Sequence, residues 1–312
     1  MRYSDVMIEV KTSVPLAPLT TFQIGGFARH YVDVTTEDDI RHAIDWAHER
    51  GLRCSILAGG SNVLVPDSGY EGLIIHVTGG CFSFAGLELA ADAGCNLFDL
   101  IKEAGRRGLG GWEKLAGIPG TIGGAVRGNA GAFGSEIKDF VHSVRAVNMN
   151  TGSTRTFSNT ECGFQYRDSV FKQHPKWIVM RIAVHLRKIS PEESARVAEE
   201  TLAERERRHL QNVRAAGSFF MNPIASSEIV NLFESEKGVK SRESRVPAGW
   251  LIEKAGMKGA TAGGAISSLQ HPNYIVNRQN ATSEDVRQLA ARIKIAVMSQ
   301  FGVPLREEAA IL

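Results

Sequence analysis

The sequence predicts an α+β protein, and three observations carry that expectation. Met180, Ile182, Val184 and Leu186 alternate with Arg181, Ala183, His185 and Arg187, the pattern of a half-buried antiparallel strand. Helical apolar spacing occurs in a few bounded stretches, such as Ile40, Ala43, Ile44 and Ala47 behind the capping box Thr36-x-x-Asp39. Glycine is crowded: 20 of the 32 glycines lie between Gly51 and Gly134, and 11 of those between Gly105 and Gly134. Such crowding marks backbone that turns tightly or closely approaches a ligand or another backbone.

Taken in order, residues 29–34 read as a strand, followed by the helix that opens at Thr36 and stops at Gly51. A short apolar strand at 55–58 runs into the turn Gly59-Gly60-Ser61-Asn62, and 63–65 resumes extended backbone. From Gly72 strands dominate, at 72–77 and 88–94, interrupted by a helix at about 97–106 with Leu97, Leu100, Ile101 and Ala104 on one face. Further strands fall near 143–149 and 176–187. Pro191 at a first helical position opens a long charged helix towards Leu210, which reads as a connector. A helix at 248–255, a strand at 274–276 and a final helix follow. That last helix has the capping box Thr282-x-x-Asp285, an apolar face of Val286, Leu289, Ile293 and Val297, and Gly302 beyond its end. The tail 303–312 is short and extended.

With 312 residues the chain is long enough for about two domains of roughly 100–200 residues each. A net charge of +2 argues against a dedicated nucleic-acid binder, which needs a basic excess to neutralise phosphates. Small metabolites are the partners to expect. Hydrophobic content of 43% excludes global disorder. No window approaches the roughly 18 apolar residues of a membrane span, and MRYSDVMIEVK lacks the apolar core of a signal peptide, so the expected location is the cytoplasm. Cys54, Cys81, Cys95 and Cys162 fall at no metal-ligand spacing, and the nine histidines form no H-E-x-x-H, so no metal site is expected. The thiols read as reduced, buried and inert.

The run Ala116-Gly117-Ile118-Pro119-Gly120-Thr121-Ile122-Gly123-Gly124-Ala125 is neither the G-x-G-x-x-G dinucleotide fingerprint nor the G-x-x-x-x-G-K-[ST] phosphate loop. Its bare amides can form an anion-binding concavity, and it equally fits a turn that packs two strands. The turn at Gly59–Asn62, taken alone, is ordinary loop chemistry.

Together with Thr21-Phe22-Gln23-Ile24-Gly25-Gly26, Asn129-Ala130-Gly131-Ala132-Phe133-Gly134, Tyr166-Arg167-Asp168-Ser169, Ala216-Gly217-Ser218-Phe219-Phe220, Gly249-Trp250-Leu251-Ile252-Glu253 and Gly263-Gly264-Ala265, these two turns occur in an order that resembles the UDP-N-acetylenolpyruvoylglucosamine reductase family over nearly the whole chain. The resemblance implies an FAD-binding fold of the vanillyl-alcohol-oxidase type, two α+β subdomains at 1–71 and 72–189. It also implies a connecting helix at 190–210, a substrate-binding α+β domain at 211–300 and a tail, 301–312, that carries a catalytic carboxylate. It implies non-covalent FAD, NADPH as co-substrate, and reduction of the enolpyruvyl ether of UDP-N-acetylglucosamine enolpyruvate to UDP-N-acetylmuramate for peptidoglycan synthesis. No protein partner, nucleic acid or membrane insertion is implied. The backbones of Gly59, Gly60, Ser61 and Asn62, and of Gly117, Ile118, Pro119, Gly120, Thr121, Gly123, Gly124 and Ala125, are implied to cradle the FAD pyrophosphate and neighbouring groups.

In such a reduction, charge accumulates on the substrate carboxylate as an enediolate and one carbon takes a proton, so cations and acids must be in place. By resemblance Arg167 stabilises that charge, Ser218 donates the proton, and Glu308 donates to or orients the enediolate. Tyr166 and Asn222 are the implied substrate contacts. Read without the family, Ser218 is a turn residue and Arg167 beside Asp168 an ion pair; Tyr166 reads equally as packing and Asn222 equally as a turn residue, while in the tail Glu307 is the alternative functional acid and Glu308 the alternative solvated carboxylate with no role. The tail departs from the family's usual L-E-P-E-V-R: Arg306 and Glu307 replace Glu-Pro, and Ala310 replaces Arg. Met221 stands where the family often has Lys, and Pro272 where a small residue is common; His271 beside it reads as structural. Arg205, Arg207, Arg208 and Arg214 read first as a solvated helix face and second as contacts for the UDP diphosphate. No long insertion separates Tyr166 from the strand at 177, as in the subgroup without the extra substrate-capping loop. The rival readings are an FAD-dependent sugar or alcohol oxidase of the same superfamily and a non-catalytic flavin- or nucleotide-binding relative.

Overall fold

The computed structural model describes residues 8–208 and 211–312. They divide into two compact units. One contains the described residues up to Val14, with Ala28–Gly60 and Tyr70–Arg207; the other contains Pro15–Phe27, Ser61–Gly69 and Arg208 to Leu312.

Among the described residues the first unit has two larger sheets around one apolar core, and two short two-stranded pairs, Gly131–Ala132 with Ser135–Glu136 and Leu109–Gly110 with Arg187–Lys188. In the first sheet Tyr70–Val77 lies in parallel between Phe27–Val34 and Cys54–Leu57, with Lys11–Pro15 on the outer edge. Helix α1 (Glu37–His48) follows the first of the parallel strands. Its capping box closes from both sides at Thr36 and Asp39, and it buries the expected face of Ile40, Ala43, Ile44 and Ala47. The second sheet is antiparallel, in the order Thr154–Ser158, Val141–Asn148, Trp177–His185, Glu88–Asp92, Phe82–Ala85. Its central strand buries Met180, Ile182 and Val184, so the period-two pattern does mark the half-covered strand.

Helix α2 (Leu97–Arg106) starts at Asn96, whose side chain accepts the Asp99 amide at 3.1 Å. Helices α3 (Ile122–Arg127) and α4 (Val170–Gln173) are short, and α3 starts inside the glycine run, which the sequence also fits to a turn, and extends two residues past it. Helix α5 (Pro191–Arg207) is not a free connector. It buries Ser194, Thr201 and Arg205, and the Ser194 hydroxyl donates to Glu113 Oε1 at 2.8 Å. A Cβ on Gly105 would stand 2.5 Å from that hydroxyl, so the glycine lets α2 and α5 approach closely. The expected end of this helix, His209 and Leu210, lies outside the described residues.

The second unit holds a three-stranded antiparallel sheet (Thr261–Ala262, Ala265–Ser267, Ile275–Asn277) and helices α6 (Ser227–Lys237), α7 (Ala248–Lys254) and α8 (Ser283–Phe301). Helix α6 has no sequence signature: among its buried residues is only Phe233. The tail is extended, as expected, and its Ala310–Ile311 pairs in parallel with Val63–Leu64.

The linear division at residue 71 therefore does not describe the packing, because 15–27 and 61–69 leave that segment for the second unit. Three polar attachments hold them there. Asn277 Nδ2 donates to the Phe22 carbonyl at 3.1 Å, Thr21 Oγ1 to the Ala215 carbonyl at 2.7 Å, and the Ser283 hydroxyl to Asp67 Oδ2 at 2.7 Å. Phe22 and Leu64, both fully buried, join Phe219, Phe220, Leu289 and Ile293 in this unit's core. Each side chain of that size contributes about 1.5–3 kcal/mol of burial.

Candidate active site

In the first unit the two glycine turns touch. A Cβ on Gly59 would lie 2.7 Å from the Gly120 Cα and 3.2 Å from the Thr121 nitrogen, so nothing larger than hydrogen fits between the two backbones. Gly60 and Gly120 both adopt positive φ, +60° and +108°. The amides of Gly59, Gly60, Gly120 and Thr121 make no hydrogen bond among the described residues. Such amides, with no Cβ in front of them, suit an anionic ligand.

Four amides at the end of the glycine run bond within the fold. The amides of Ile122 and Gly123 donate to the Cys95 and Ala93 carbonyls, both at 2.9 Å. Those of Gly124 and Ala125 go to Thr121 Oγ1 and the Thr121 carbonyl, at 3.2 and 2.9 Å. Gly123 is glycine for packing, since a Cβ there would meet the Ala93 side chain at 2.6 Å. The donor set expected over 117–125 thus narrows, for Gly123, Gly124 and Ala125, to a supporting role in α3.

A second cluster of the first unit surrounds Arg167. Its guanidinium donates to the Gly131 carbonyl at 3.0 Å and lies over the Tyr166 ring at 5.6 Å. The Asp168 carboxylate takes the Ser169 amide and Gln173 Nε2, each at 2.9 Å. Asn129, fully buried, donates to the Gln165 carbonyl at 2.8 Å and to Glu136 at 2.9 Å, which joins the N-A-G-A-F-G and Y-R-D-S motifs. Burial opposes ionisation of Glu136, but its bonds from Lys138 and Asn129 and the nearby Arg167 charge outweigh that and hold the carboxyl below its ordinary range. Asn129, Phe133 and Arg167 all have left-handed φ, at 42°, 50° and 56°. For residues with a Cβ that conformation costs energy, and such strain clusters where side-chain direction matters.

In the second unit Ser218 lies on the wall of a cleft of about 480 Å³, with Asn222, Lys237, Trp250, Glu253, His271 and Asn273 among its lining. Burial pushes the His271 imidazole below its usual pKa, and its ring meets Tyr274 edge-on at 4.8 Å. The C-terminal tail runs antiparallel alongside, bridging Phe220 to Glu307. The Glu308 amide donates to the Phe219 carbonyl at 2.8 Å, the Met221 amide to the Arg306 carbonyl at 2.9 Å, and Asn62 Nδ2 reaches the Glu308 carbonyl at 3.3 Å. Ser218, Glu308 and Asn62, scattered over the sequence, thus come together. Ser61 belongs to the same unit.

Side chains two positions apart on an extended strand point the same way, whereas neighbours alternate. Glu307 and Glu308 accordingly differ: Glu307 Oε1 accepts from Lys294 of α8 at 2.6 Å. Asn222 lines the cleft, but its Oδ1 accepts the Ala248 amide at 3.0 Å and starts α7, the turn role that its place before Pro223 also fits. The basic cluster is mixed: Arg205 is buried, Arg207 pairs with Glu204 at 2.7 Å, and Arg214 donates to the Arg278 carbonyl at 3.1 Å. The expectation of buried thiols fails for Cys81, which is exposed; Cys95 and Cys162 are buried and Cys54 is intermediate. Among the described residues no cluster of metal ligands occurs, and no helix is long and apolar enough to cross a membrane.

Sequence reasoning did not single out Asn129 or Asn273. Each was visible only as a member of a motif or loop, and each acts through buried side-chain amides that bond to distant backbone.

Residues 208–312 match the model of the UDP-N-acetylenolpyruvoylglucosamine reductase C-terminal domain, and residues 28–158 match an FAD-binding domain. The chain is 35% identical over 310 residues to the UDP-N-acetylenolpyruvoylglucosamine reductase of Solibacter usitatus, covering 96% of each. It is 36% identical over 301 residues to that of Heliobacterium modesticaldum, covering 96% of this chain and 89% of the relative. The crystal structure of the Thermus caldophilus reductase superposes with a TM-score of 0.75 at 30% identity, covering 98% of both chains. Motif order, cleft and full-length similarity agree, and the chain belongs to the UDP-N-acetylenolpyruvoylglucosamine reductase family.

Proposed function

We infer that the chain reduces UDP-N-acetylglucosamine enolpyruvate to UDP-N-acetylmuramate with NADPH and FAD, a step of peptidoglycan precursor synthesis, and that Arg167, Ser218 and Glu308 carry the substrate chemistry. Bound FAD would supply hydride transfer from NADPH to the terminal carbon of the enolpyruvyl ether. The amides of Gly59, Gly60, Gly120 and Thr121 hold its pyrophosphate, a reading supported by their lack of other partners and by the bare backbone around them.

The remaining chemistry is the chain's own. Hydride arriving at the terminal carbon drives charge onto the carboxylate. The Arg167 guanidinium suits that charge because it is planar, forked and permanently cationic. The carbon next to the carboxylate then takes a proton from Ser218 Oγ. A hydroxyl is a weak acid, so the transfer needs a fixed geometry and donors that favour the alkoxide or refill it from water. Glu308, in the extended tail bonded to the residue after Ser218, orients the enediolate or donates to it. The observation that carries this assignment is the pairing of the Glu308 amide with the Phe219 carbonyl at 2.8 Å, one residue from Ser218, beside the cleft. Tyr166 and Asn222 are assigned to substrate contact. NADPH and a UDP-sugar are cytoplasmic metabolites, so we assign the protein to the cytoplasm.

Anaerobic stopped-flow spectroscopy tests the reading. NADPH should bleach the bound flavin, and the enolpyruvyl sugar nucleotide should restore its absorption. Bleaching without reoxidation by that substrate would sink the assignment, and fast reoxidation by oxygen with indifference to NADPH would favour an oxidase. In Ser218→Ala the NADPH step should persist while the second step slows; equal loss in both would remove Ser218 as proton donor.

A further inference from the structure

Asn273 sits in the turn between Ala265–Ser267 and Ile275–Asn277, is 3% exposed, and lines the same cleft as Ser218. Its backbone carbonyl accepts the Phe219 amide at 2.7 Å. Its side chain then closes a ring on the next residue: Oδ1 accepts the Phe220 amide at 3.0 Å, and Nδ2 donates to the Phe220 carbonyl at 2.8 Å. The carboxamide here replaces a peptide unit of a neighbouring strand, because it sets a donor beside an acceptor. The turn that presents it is itself fixed. The buried Ser267 hydroxyl donates to the Pro272 carbonyl at 2.9 Å, and the Tyr274 amide to the His271 carbonyl at 2.8 Å. The sheet's own ladder joins Ser267 to Ile275 and does not include the Ser218 segment.

We propose that Asn273 is a positioning residue for proton delivery: by pinning the backbone of Phe219 and Phe220 it fixes where Ser218 Oγ stands in the cleft. The inference rests on the reading of Ser218 as the proton donor. The two residues that follow Ser218 have their amides bonded to Asn273, and the Phe219 carbonyl takes the Glu308 amide. Proton transfer from a hydroxyl falls off steeply with small displacements, so loss of this clamp reaches the chemistry without removing any reacting group.

The test uses holoenzymes carrying Asn273→Ala or Asn273→Asp, with the two half-reactions followed separately without oxygen. Reduction by NADPH should stay within about twofold of wild type, whereas reoxidation by the enolpyruvyl substrate should slow by about ten- to a hundredfold, the scale of one or two neutral hydrogen bonds. A neutral carboxylic acid still offers a donor beside an acceptor, and a carboxylate does not. The deficit of Asn273→Asp relative to wild type should therefore shrink as the pH is lowered and return as the carboxyl ionises, a limb that Asn273→Ala must lack. Adding Ser218→Ala to Asn273→Ala should cost less than Ser218→Ala costs alone, since the clamped group is gone.

If both half-reactions fall together, or the pH limb is missing, Asn273 is merely structural and the inference is overturned. If Ser218→Ala slows reoxidation but the Asn273 variants do not, or the two losses add fully, only the positioning role fails. If Ser218→Ala leaves reoxidation intact, the proton-donor reading fails, and the inference with it.

Discussion

Gly59 and Gly120 meet backbone to backbone, so closely that a single Cβ on Gly59 would come within 2.7 Å of the Gly120 Cα. Two turns separated by some 60 residues are thereby locked together, with the amides of Gly59, Gly60, Gly120 and Thr121 making no hydrogen bond among the described residues. Gly59→Ala must push them apart, since backbone on both sides cannot yield as a flexible side chain would. The purified variant should carry less flavin per protein, and its FAD dissociation constant should rise at least about tenfold, roughly the value of one lost charge-assisted hydrogen bond. Wild-type flavin content would remove this contact from the cofactor site.

The two tail carboxylates should separate cleanly. Glu308→Gln should slow the substrate half-reaction by about a hundred- to a thousandfold, the usual cost of one group that stabilises developing charge. Glu307→Gln removes a partly exposed pair with Lys294 and should change stability by less than about 1 kcal/mol, with turnover near wild type. The reverse ranking would move the function to Glu307.

Arg167→Lys keeps the charge but loses the fork, and with it the bond to the Gly131 carbonyl. Stopped-flow should show the substrate step slowed by about tenfold or more, with the NADPH step retained. An unaffected substrate step would leave Arg167 with only its contacts to the glycine segment.

Asp285 contributes an acid limb to stability. Bonds from the Thr282 and Gly264 amides hold its carboxyl below the ordinary range. A folded pKa below the unfolded one stabilises the protein fully above the unfolded value, about 3.9, and the gain is lost as pH falls through the folded value. Urea midpoints measured from pH 6 down to pH 3 should fall less steeply for Asp285→Asn than for wild type. Parallel curves would show that this cap carries no linkage.

Thiol reactivity should follow burial. Burial, aided by the Glu161 charge, pushes Cys162 up to about 12, and burial also raises Cys95 and Cys54. Brief alkylation at pH 7.5 followed by peptide mass mapping should label exposed Cys81 first, with Cys95 and Cys162 modified only on unfolding.

Much of the local structure was legible because its causes are local. The capping boxes at Thr36 and Thr282, the buried face of α1 and the alternation around Ile182 all appear in the structure where the residues place them. Helix α6 was not legible, because a helix that buries little beyond Phe233 carries no stripe. Nor was α3, whose glycines read as a turn until Thr121 caps them and Ala93 and Cys95 supply acceptors. At the site, motif order identified Arg167, Ser218 and Glu308 as residues worth following. It did not say which glycine amides remain available, or that Oδ1 of Asn222 is already used.

By itself the sequence determined the element boundaries set by caps and periodicity, the exclusion of a phosphate-loop or Rossmann cofactor site, and the family to which the chain belongs. Tertiary structure alone decided that 15–27 and 61–69 pack with the C-terminal unit, that the tail strand sets Glu308 beside the Ser218 segment, and that Asn273 clamps that segment. The reason is one of range. Propensity and capping act within one or two turns of chain, whereas a buried amide such as Asn273 or Asn277 is satisfied only by backbone that folding brings from 50 or 250 residues away.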